Sequence, residues 1–376
     1  MPAKKILLVQ LFSNGDCLYA TTVARQIKQD YPGCHLTWII ASFCKDIIAN
    51  NPYVDSVIVT DAVPKSNVVA FRKFKKILAE RKRAGEFDEV FVTQNMDANQ
   101  AYYDGSIRST LFRAYPHEIT VPVTPVLRLT GKETEKAGAF AEEHQLHRYA
   151  RVVLFEFAPQ SGQLNITREM VLAVSEGIVS RNDAAVILSS GSAISHPDPR
   201  IIDGSRLSVR ETAALTHYCT LLLGCSSGIS WVSTSDAARQ LPMVQMLNPD
   251  TPWINPLSRD FERFHLPVDQ LIELVHFTSG EVIDCVTEAM LDFSEARKKY
   301  NQPVPLKFTT TTGIVYNLLC YLEFKAIRTH IKVNRQVYGN NVRFYAAVVQ
   351  GFLIFPFRLL RNTLIKRGRP FFAKLK

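Results

Sequence analysis

Short apolar runs alternate with longer amphipathic stretches along the first 280 residues. A first round has predicted strands near 5–12, 35–40, 54–60 and 89–93, with helices near 17–31, 43–50 and 67–84. After a proline-rich stretch at 121–126 and a predicted helix near 132–146, a second round has strands near 151–156, 184–189, 220–224 and 242–247, with helices near 167–180, 210–218, 228–238 and 268–278. Apolar runs separated by helices are typical of parallel sheets buried on both faces. The pattern predicts an α/β fold of two Rossmann-like, doubly wound parallel-sheet domains that face a cleft.

The same pattern divides the chain of 376 residues into three parts. We expect an N-terminal Rossmann-like domain at 1–148, a C-terminal Rossmann-like domain at 149–296 and a basic, aromatic helical tail at 297–376. The seven cysteines are odd in number, scattered and without a Cys-x-x-Cys pair. This usage argues against a disulfide framework and a structural zinc site, and it favours a reducing cytoplasm.

The first strand ends in a glycine-acid elbow, Ser13–Asp16, which follows the apolar run from Ile6 to Phe12. A strand that leads through a small-residue turn into a helix places backbone N–H groups and the Asp16 carboxylate at the carboxyl end of the sheet, where open α/β folds bind ligands. Asp16 is therefore a candidate functional acid. The alternative is that Asp16 serves as the N-cap of a helix that begins near Cys17.

A second elbow follows the strand Leu221–Gly224. Ser226, Ser227, Gly228 and Ile229 open a predicted helix whose first turn offers N–H groups and hydroxyls to an anion. The alternative is that a serine only caps the helix and Gly228 only permits close packing. Another strand followed by a polar turn, with Ser161 and Gln163, lies earlier in this domain. Two such loops in one domain favour a nucleoside diphosphate as ligand.

The order of these motifs resembles glycosyltransferase family nine, the lipopolysaccharide heptosyltransferase-like enzymes of GT-B fold. The resemblance covers roughly residues 4–275, and it is carried by the two elbows and the segments between them: Asn14–Asp16, Pro32–Gly33 ahead of the strand with Trp38, Asn51–Ile58 and Gly224–Ser230. It implies an inverting, metal-independent transfer of a sugar, heptose or related, from a nucleotide-sugar donor. The donor would bind the C-terminal domain and a glycolipid or oligosaccharide acceptor the N-terminal domain, in the synthesis of bacterial lipopolysaccharide or another cell-surface glycan.

The resemblance also implies roles for individual residues. Asp16 would be the catalytic base that takes the proton of the acceptor hydroxyl, beside the acceptor-binding residues Asn14 and Gly15. The donor would contact a set of loop residues in the second domain: Ser161, Gln163, Ser189, Gly191, Ser226, Ser227, Gly228 and Ile229. No Asp-x-Asp occurs in the chain, so we expect neither a metal nor a cofactor.

Two departures leave the donor open. The family has an acidic residue where this chain has Ser226, and a lysine in the turn where this chain has only Ser161, Gly162 and Gln163. Glu211 could bind a ribose, or it could form a capping box with Ser208.

Arg108 and Arg113 lie beside aromatic residues after the fourth predicted strand. At the cleft mouth they would suit a phosphate or carboxylate of the acceptor. The alternative is that they are solvated or paired with acids.

The basic character of the chain belongs to its tail. Residues 297–376 hold sixteen Lys or Arg and one acid, whereas the rest of the chain has an excess of acids. The apolar run 344–357 would span about 21 Å as a helix, less than the ~30 Å hydrocarbon core. We expect it to lie on an anionic membrane surface, with the protein cytoplasmic and peripheral on the inner face of the cytoplasmic membrane. The alternative is a tail that packs across the two domains.

Two other classes of function remain open at this point. Another two-Rossmann nucleotide-sugar enzyme, such as an epimerase, would account for the fold. A noncatalytic, basic surface-binding protein would account for the charge, although the apolar residues of the tail argue against nucleic acid as its partner.

Overall fold

A computed structural model describes residues 3–157, 164, 166–251 and 254–372, with side chains as far as residue 357. Ser161 and Gln163 therefore lie outside the described residues. Two parallel sheets form the framework, which confirms the predicted α/β fold.

The first sheet has four strands, β1 (Lys5–Val9), β2 (His35–Ile40), β3 (Ser56–Val59) and β4 (Glu89–Val92), in the order β3-β2-β1-β4. Its helices are α1 (Asn14–Asp30), α2 (Val68–Arg83), α3 (Ile107–Ala114) and α4 (Gly131–Glu143). β1 lies in the centre of the sheet, where every residue after Lys5 is fully buried. The loop that follows β1 therefore starts from a rigid position.

The second sheet has six strands: β5 (Arg151–Glu156), β6 (Ala184–Ser189), β7 (Ile201–Asp203), β8 (Leu221–Gly224), β9 (Met243–Met246) and β10 (Leu271–Leu274). Their order is β10-β9-β8-β5-β6-β7, and the pairs are parallel. The helices of this part are α5 (Arg168–Arg181), α6 (Val209–Leu215), α7 (Gly228–Val232), α8 (Leu257–Arg263), α9 (Ser279–Leu291) and α10 (Phe293–Tyr300). β5 and β8 are central neighbours, so the loops after them lie side by side.

The predicted helix at 268–278 is wrong, because this segment contains β10. Leu271, Ile272 and Leu274 are buried and pair with β9. The predicted helix at 228–238 ends early, since α7 stops at Val232. β7, α3, α8, α9 and α10 were not predicted. All but α9 are short, and a short element shows little periodicity; α9 directly follows the segment that was wrongly assigned to a helix.

The C-terminal part forms three helices, α11 (Thr309–Cys320), α12 (Phe324–Tyr338) and α13 (Val342–Phe372). They share a buried cluster with Ala101 and Tyr103 of the first domain. His330 Nδ1 lies 3.2 Å from the Ala101 carbonyl oxygen, and Asn334 Nδ2 donates to the Tyr103 carbonyl oxygen at 3.0 Å. These helices thus pack against the N-terminal domain at Ala101 and Tyr103.

Candidate functional site

The first elbow places Asp16 inside the first turn of α1. The helix begins at Asn14, so Asp16 is its third residue and the N-cap position belongs to Ser13. The alternative of Asp16 as N-cap is therefore wrong. Ser13 has φ 69°, a left-handed conformation that costs energy in a residue with a side chain and is common near functional sites.

Gln94, just after β4, holds this elbow in place. Its Oε1 accepts hydrogen bonds from the backbone N–H groups of Leu11 at 2.9 Å and Phe12 at 3.0 Å. The Gln10 amide donates to the same oxygen at 3.2 Å. Gln94 is buried, so the turn that leads to Asp16 is fixed by a neighbouring strand end.

The environment of Asp16 shifts its protonation. Burial raises the pKa of the Asp16 carboxyl from 3.8 to about 7, while Lys65 and a backbone hydrogen bond oppose the rise. Part of the Asp16 surface still reaches solvent, as do parts of Asn14 and Gly15. An accessible carboxylate with a pKa near neutrality suits a general base.

The two elbows face each other across the domain boundary. A Cβ atom on Gly15 would lie 3.5 Å from Cδ1 of Trp231 in α7. Tyr19 of α1 packs edge-on against Trp231, with 4.9 Å between ring centroids. Both aromatic residues belong to one buried cluster that is continuous between the domains. The first turn of α1, which carries Asp16, therefore packs beside α7 of the second elbow.

Glu156, the last residue of β5, fills the second elbow. Its Oε1 accepts hydrogen bonds from Ser227 Oγ and from Ile229 N at 3.2 Å. Its Oε2 accepts hydrogen bonds from Ser230 N at 3.2 Å and from Ser230 Oγ at 2.7 Å. The Ser227 hydroxyl and the Ile229 N–H group, both predicted to face a diphosphate, thus bond to a carboxylate of the protein itself. Their contact with a donor stays a prediction, and in this structure Glu156 competes for these groups.

The remaining residues of this elbow differ in accessibility. Ser226 is buried, with φ 51°, and donates from N to Gln245 Oε1 at 2.6 Å and from Oγ to the Asn255 carbonyl oxygen. Ser226 is therefore also unavailable to a ligand. Gly228 is partly exposed, and no described atom lies within 4 Å of a Cβ built on it. Gly228 is thus open to a ligand.

The predicted nucleoside loop lies at the carboxyl end of β6. Ser189 is buried at the strand end. Gly191 is exposed, and no described atom lies within 4 Å of a Cβ built there. Glu211 forms a capping box with Ser208, as the second of its two interpretations stated. Its carboxylate also pairs with Lys136 at 2.9 Å.

The two arginines do not line the cleft mouth. Arg108 is fully buried between the domains, with Nη2 3.1 Å from Asp260 Oδ2 and its guanidinium 4.6 Å from the ring centroid of Tyr19. Arg113 pairs with the buried Asp104, which also pairs with Arg263 of the second domain. The prediction of an exposed arginine pair for the acceptor is wrong, because both arginines have acidic partners inside the protein.

Glu156, Gln94 and Lys65 were not predicted from the sequence. Glu156 accepts hydrogen bonds from the second elbow, which lies more than 70 residues later in the sequence. Gln94 accepts hydrogen bonds from the first elbow, which lies more than 80 residues earlier. An acid or amide at the end of a buried strand was the available signal, since the ends of parallel strands meet at one edge of a sheet.

The helix α13 is buried on one side and apolar on its exposed side. Phe344 is fully buried, whereas Val349, Leu353 and Phe357 are 55%, 62% and 73% exposed. Within the part of the chain that the structure describes, none of the helices combines the length and the apolar character needed to cross a bilayer.

Comparisons with known proteins identify the fold. No protein-family model matches the chain, and no curated protein matches it. Among solved structures, a glycosyl transferase of family 9 from Veillonella parvula is 15% identical, with a TM-score of 0.50, over 78% of this chain and 98% of that one. The ADP-heptose lipopolysaccharide heptosyltransferase II of E. coli is 12% identical, with a TM-score of 0.51, over 77% of this chain and 99% of that one. The chain thus has the two-domain fold of these glycosyltransferases.

Proposed function

We propose that the protein is a glycosyltransferase in which Asp16 activates the acceptor. The observation that carries this proposal is the partly exposed carboxylate of Asp16, whose pKa is raised to about 7, in a helix turn whose Gly15 packs against Trp231 of the second elbow's helix. The fold supports the class, since it is shared with a family-9 glycosyl transferase and a heptosyltransferase.

The proposed reaction is an inverting displacement without a metal. The Asp16 carboxylate removes the proton from an acceptor hydroxyl as that oxygen attacks the anomeric carbon, and the bond to the leaving nucleotide breaks on the opposite face of the sugar. Asn14 lies two residues earlier, and its Oδ1 is buried without a hydrogen-bond partner among the described residues. This oxygen is free to accept a hydrogen bond from a sugar hydroxyl, so Asn14 would orient the acceptor.

The donor would bind the second domain. Among the described residues the accessible candidates are Gly228 and Gly191. Ser161 and Gln163 lie outside the described residues and stay candidates from the sequence alone. The solved relative from E. coli is named for ADP-heptose, so that nucleotide sugar is the first donor to test.

The test of the proposed function is donor turnover by the purified chain. ADP-, UDP- and GDP-sugars are screened for release of the nucleotide, with and without bacterial glycolipid fractions as acceptor. We expect turnover by the native chain and a loss of at least 100-fold in Asp16→Asn, which keeps the size of the side chain. Full activity of Asp16→Asn would exclude the proposed base. Turnover of none of the donors would exclude the proposed class.

We propose further that α13 holds the enzyme on an anionic membrane surface. Its exposed apolar residues would enter the interface, and the basic C-terminal residues of the sequence would meet anionic headgroups. The variant Leu353→Ser/Phe357→Ser should bind phosphatidylglycerol vesicles less than the native chain in flotation. The double variant Val57→Ser/Val59→Ser, on the exposed edge strand β3, is the control. Equal binding by all three proteins would contradict the assignment.

A further inference from the structure

The carboxylate of Glu156 occupies the position in which an anion would bind the second elbow. Its two oxygens accept hydrogen bonds from four donors of Ser227, Ile229 and Ser230, at the start of α7. Glu156 itself is only 3% exposed. Among the described residues, no lysine or arginine forms an ion pair with it. Hydroxyl and amide groups are therefore what offsets its charge.

A donor phosphate cannot share these hydrogen-bond donors with Glu156. Each N–H group and hydroxyl has one hydrogen to donate, and the donors here are already committed. A phosphate on these groups would also bring a second negative charge next to the buried Glu156 carboxylate, and the two would repel each other. The second elbow therefore already holds an anion, the Glu156 carboxylate.

The turn does not depend on Glu156 alone for its shape. Gln245, which is fully buried, accepts a hydrogen bond from Ser226 N at 2.6 Å, and its Oε1 lies 3.2 Å from Ser230 Oγ, where it can take the hydroxyl hydrogen if Glu156 is removed. Gly224 fits closely below, since a Cβ there would lie 2.5 Å from Ser230 Oγ. Gln245 also has a buried Nε2 without a hydrogen-bond partner among the described residues. Replacement of Glu156 should therefore leave a formed turn with unsatisfied donors.

We propose that Glu156 is a specificity-determining residue that excludes a donor's diphosphate from Ser227, Ile229 and Ser230. The inference rests on the proposed function in naming the ligand as a nucleotide sugar. In the native chain the diphosphate adds little to the affinity of the nucleoside. The base, the ribose and the sugar carry the selectivity instead.

The test compares binding of pyrophosphate, adenosine and ADP by calorimetry. The proteins are the native chain, Glu156→Gln, Glu156→Ala and the control Glu281→Gln. Glu281 is a matched carboxylate, because it caps the start of α9 through Thr278 N at 2.7 Å and Thr278 Oγ1 at 2.9 Å. We expect both Glu156 variants to gain at least 10-fold in pyrophosphate affinity, and their ratio of ADP to adenosine affinity to rise by the same factor. The native chain and the control should remain alike.

Two outcomes would overturn the proposal. One is unchanged or weaker pyrophosphate binding by Glu156→Gln and Glu156→Ala, and the other is a native chain that already binds ADP at least 10-fold more tightly than adenosine. Glu156→Gln keeps the side-chain volume and one acceptor oxygen, so it stays testable if Glu156→Ala does not fold. Pyrophosphate binding needs no sugar donor. A gain without turnover of any nucleotide sugar would thus uphold the exclusion by Glu156 and refute the proposed transferase.

Discussion

The substitution Asp16→Asn should stabilise the protein at neutral and alkaline pH. The folded-state pKa of about 7 lies above the ordinary 3.8, so the folded protein binds the proton more tightly than the unfolded chain. The stability that goes with the neutral carboxyl is complete below pH 3.8 and is lost as the pH rises through 7. Each pH unit in this window costs about 1.4 kcal/mol, which gives about 4 kcal/mol in full.

The size of the effect follows from how Asp16 is placed. Part of its surface reaches solvent, so an advantage of about 2–4 kcal/mol is expected for Asp16→Asn above pH 8. The substitution also removes a favourable charge from the first turn of α1, which subtracts about 0.3–1 kcal/mol. The variant should therefore gain stability and lose transfer activity together.

Urea denaturation at pH 5 and pH 8 measures the prediction. The free energy of unfolding of Asp16→Asn, relative to the native chain, should increase by about 2 kcal/mol between these two pH values. The control Asp269→Asn, at an exposed position, measures how far the loss of one negative charge alone changes the free energy of unfolding. An advantage that is equal at pH 5 and pH 8 would refute the idea that the fold desolvates Asp16.

Three further predictions concern Lys65, the domain boundary and the packing of the C-terminal helices. Lys65→Met should move the acidic limb of kcat/KM to higher pH, because Lys65 lowers the pKa of Asp16; a pH profile with an unmoved or lower limb would contradict this. Asp260→Ala should lower the free energy of unfolding, measured in urea, by about 3–5 kcal/mol, because it leaves the buried guanidinium of Arg108 without its counter-charge. A loss below about 1 kcal/mol would refute that role. Gly351→Ala should destabilise the protein by about 1–3 kcal/mol, because a Cβ there would lie 2.7 Å from Val315. Gly313→Ala is the control, because no described atom lies within 4 Å of a Cβ there; it should be neutral or stabilising by up to about 1 kcal/mol. Equal effects of the two substitutions in urea denaturation would exclude a close packing of α13 against α11 at Gly351.

The two elbows could be predicted from the sequence because each is a local pattern. A buried strand, a small-residue turn and a helix follow one another within about 12 residues, as at Ser13–Asp16. The strand β10 could not be distinguished from a helix, since four buried residues satisfy both periodicities. The partners of Arg108 and of Ser227 could not be predicted either. They come from residues more than 70 positions away in sequence, and local pattern carries no information about them.

The two elbows use their carboxylates in opposite ways, and this difference separates the two halves of the proposed reaction. Asp16 has few bonds to the protein and a raised pKa, so its charge is costly to the fold and available to a proton. Glu156 has four hydrogen bonds to one turn, so its charge is used by the fold and closed to a ligand. Asp16 can therefore accept a proton from an acceptor, whereas Glu156 occupies the hydrogen-bond donors that would otherwise bind the departing nucleotide. Substitution of Asp16 should therefore change the chemical step with little effect on nucleotide affinity, and substitution of Glu156 should change nucleotide affinity with little effect on the pH dependence of the chemical step.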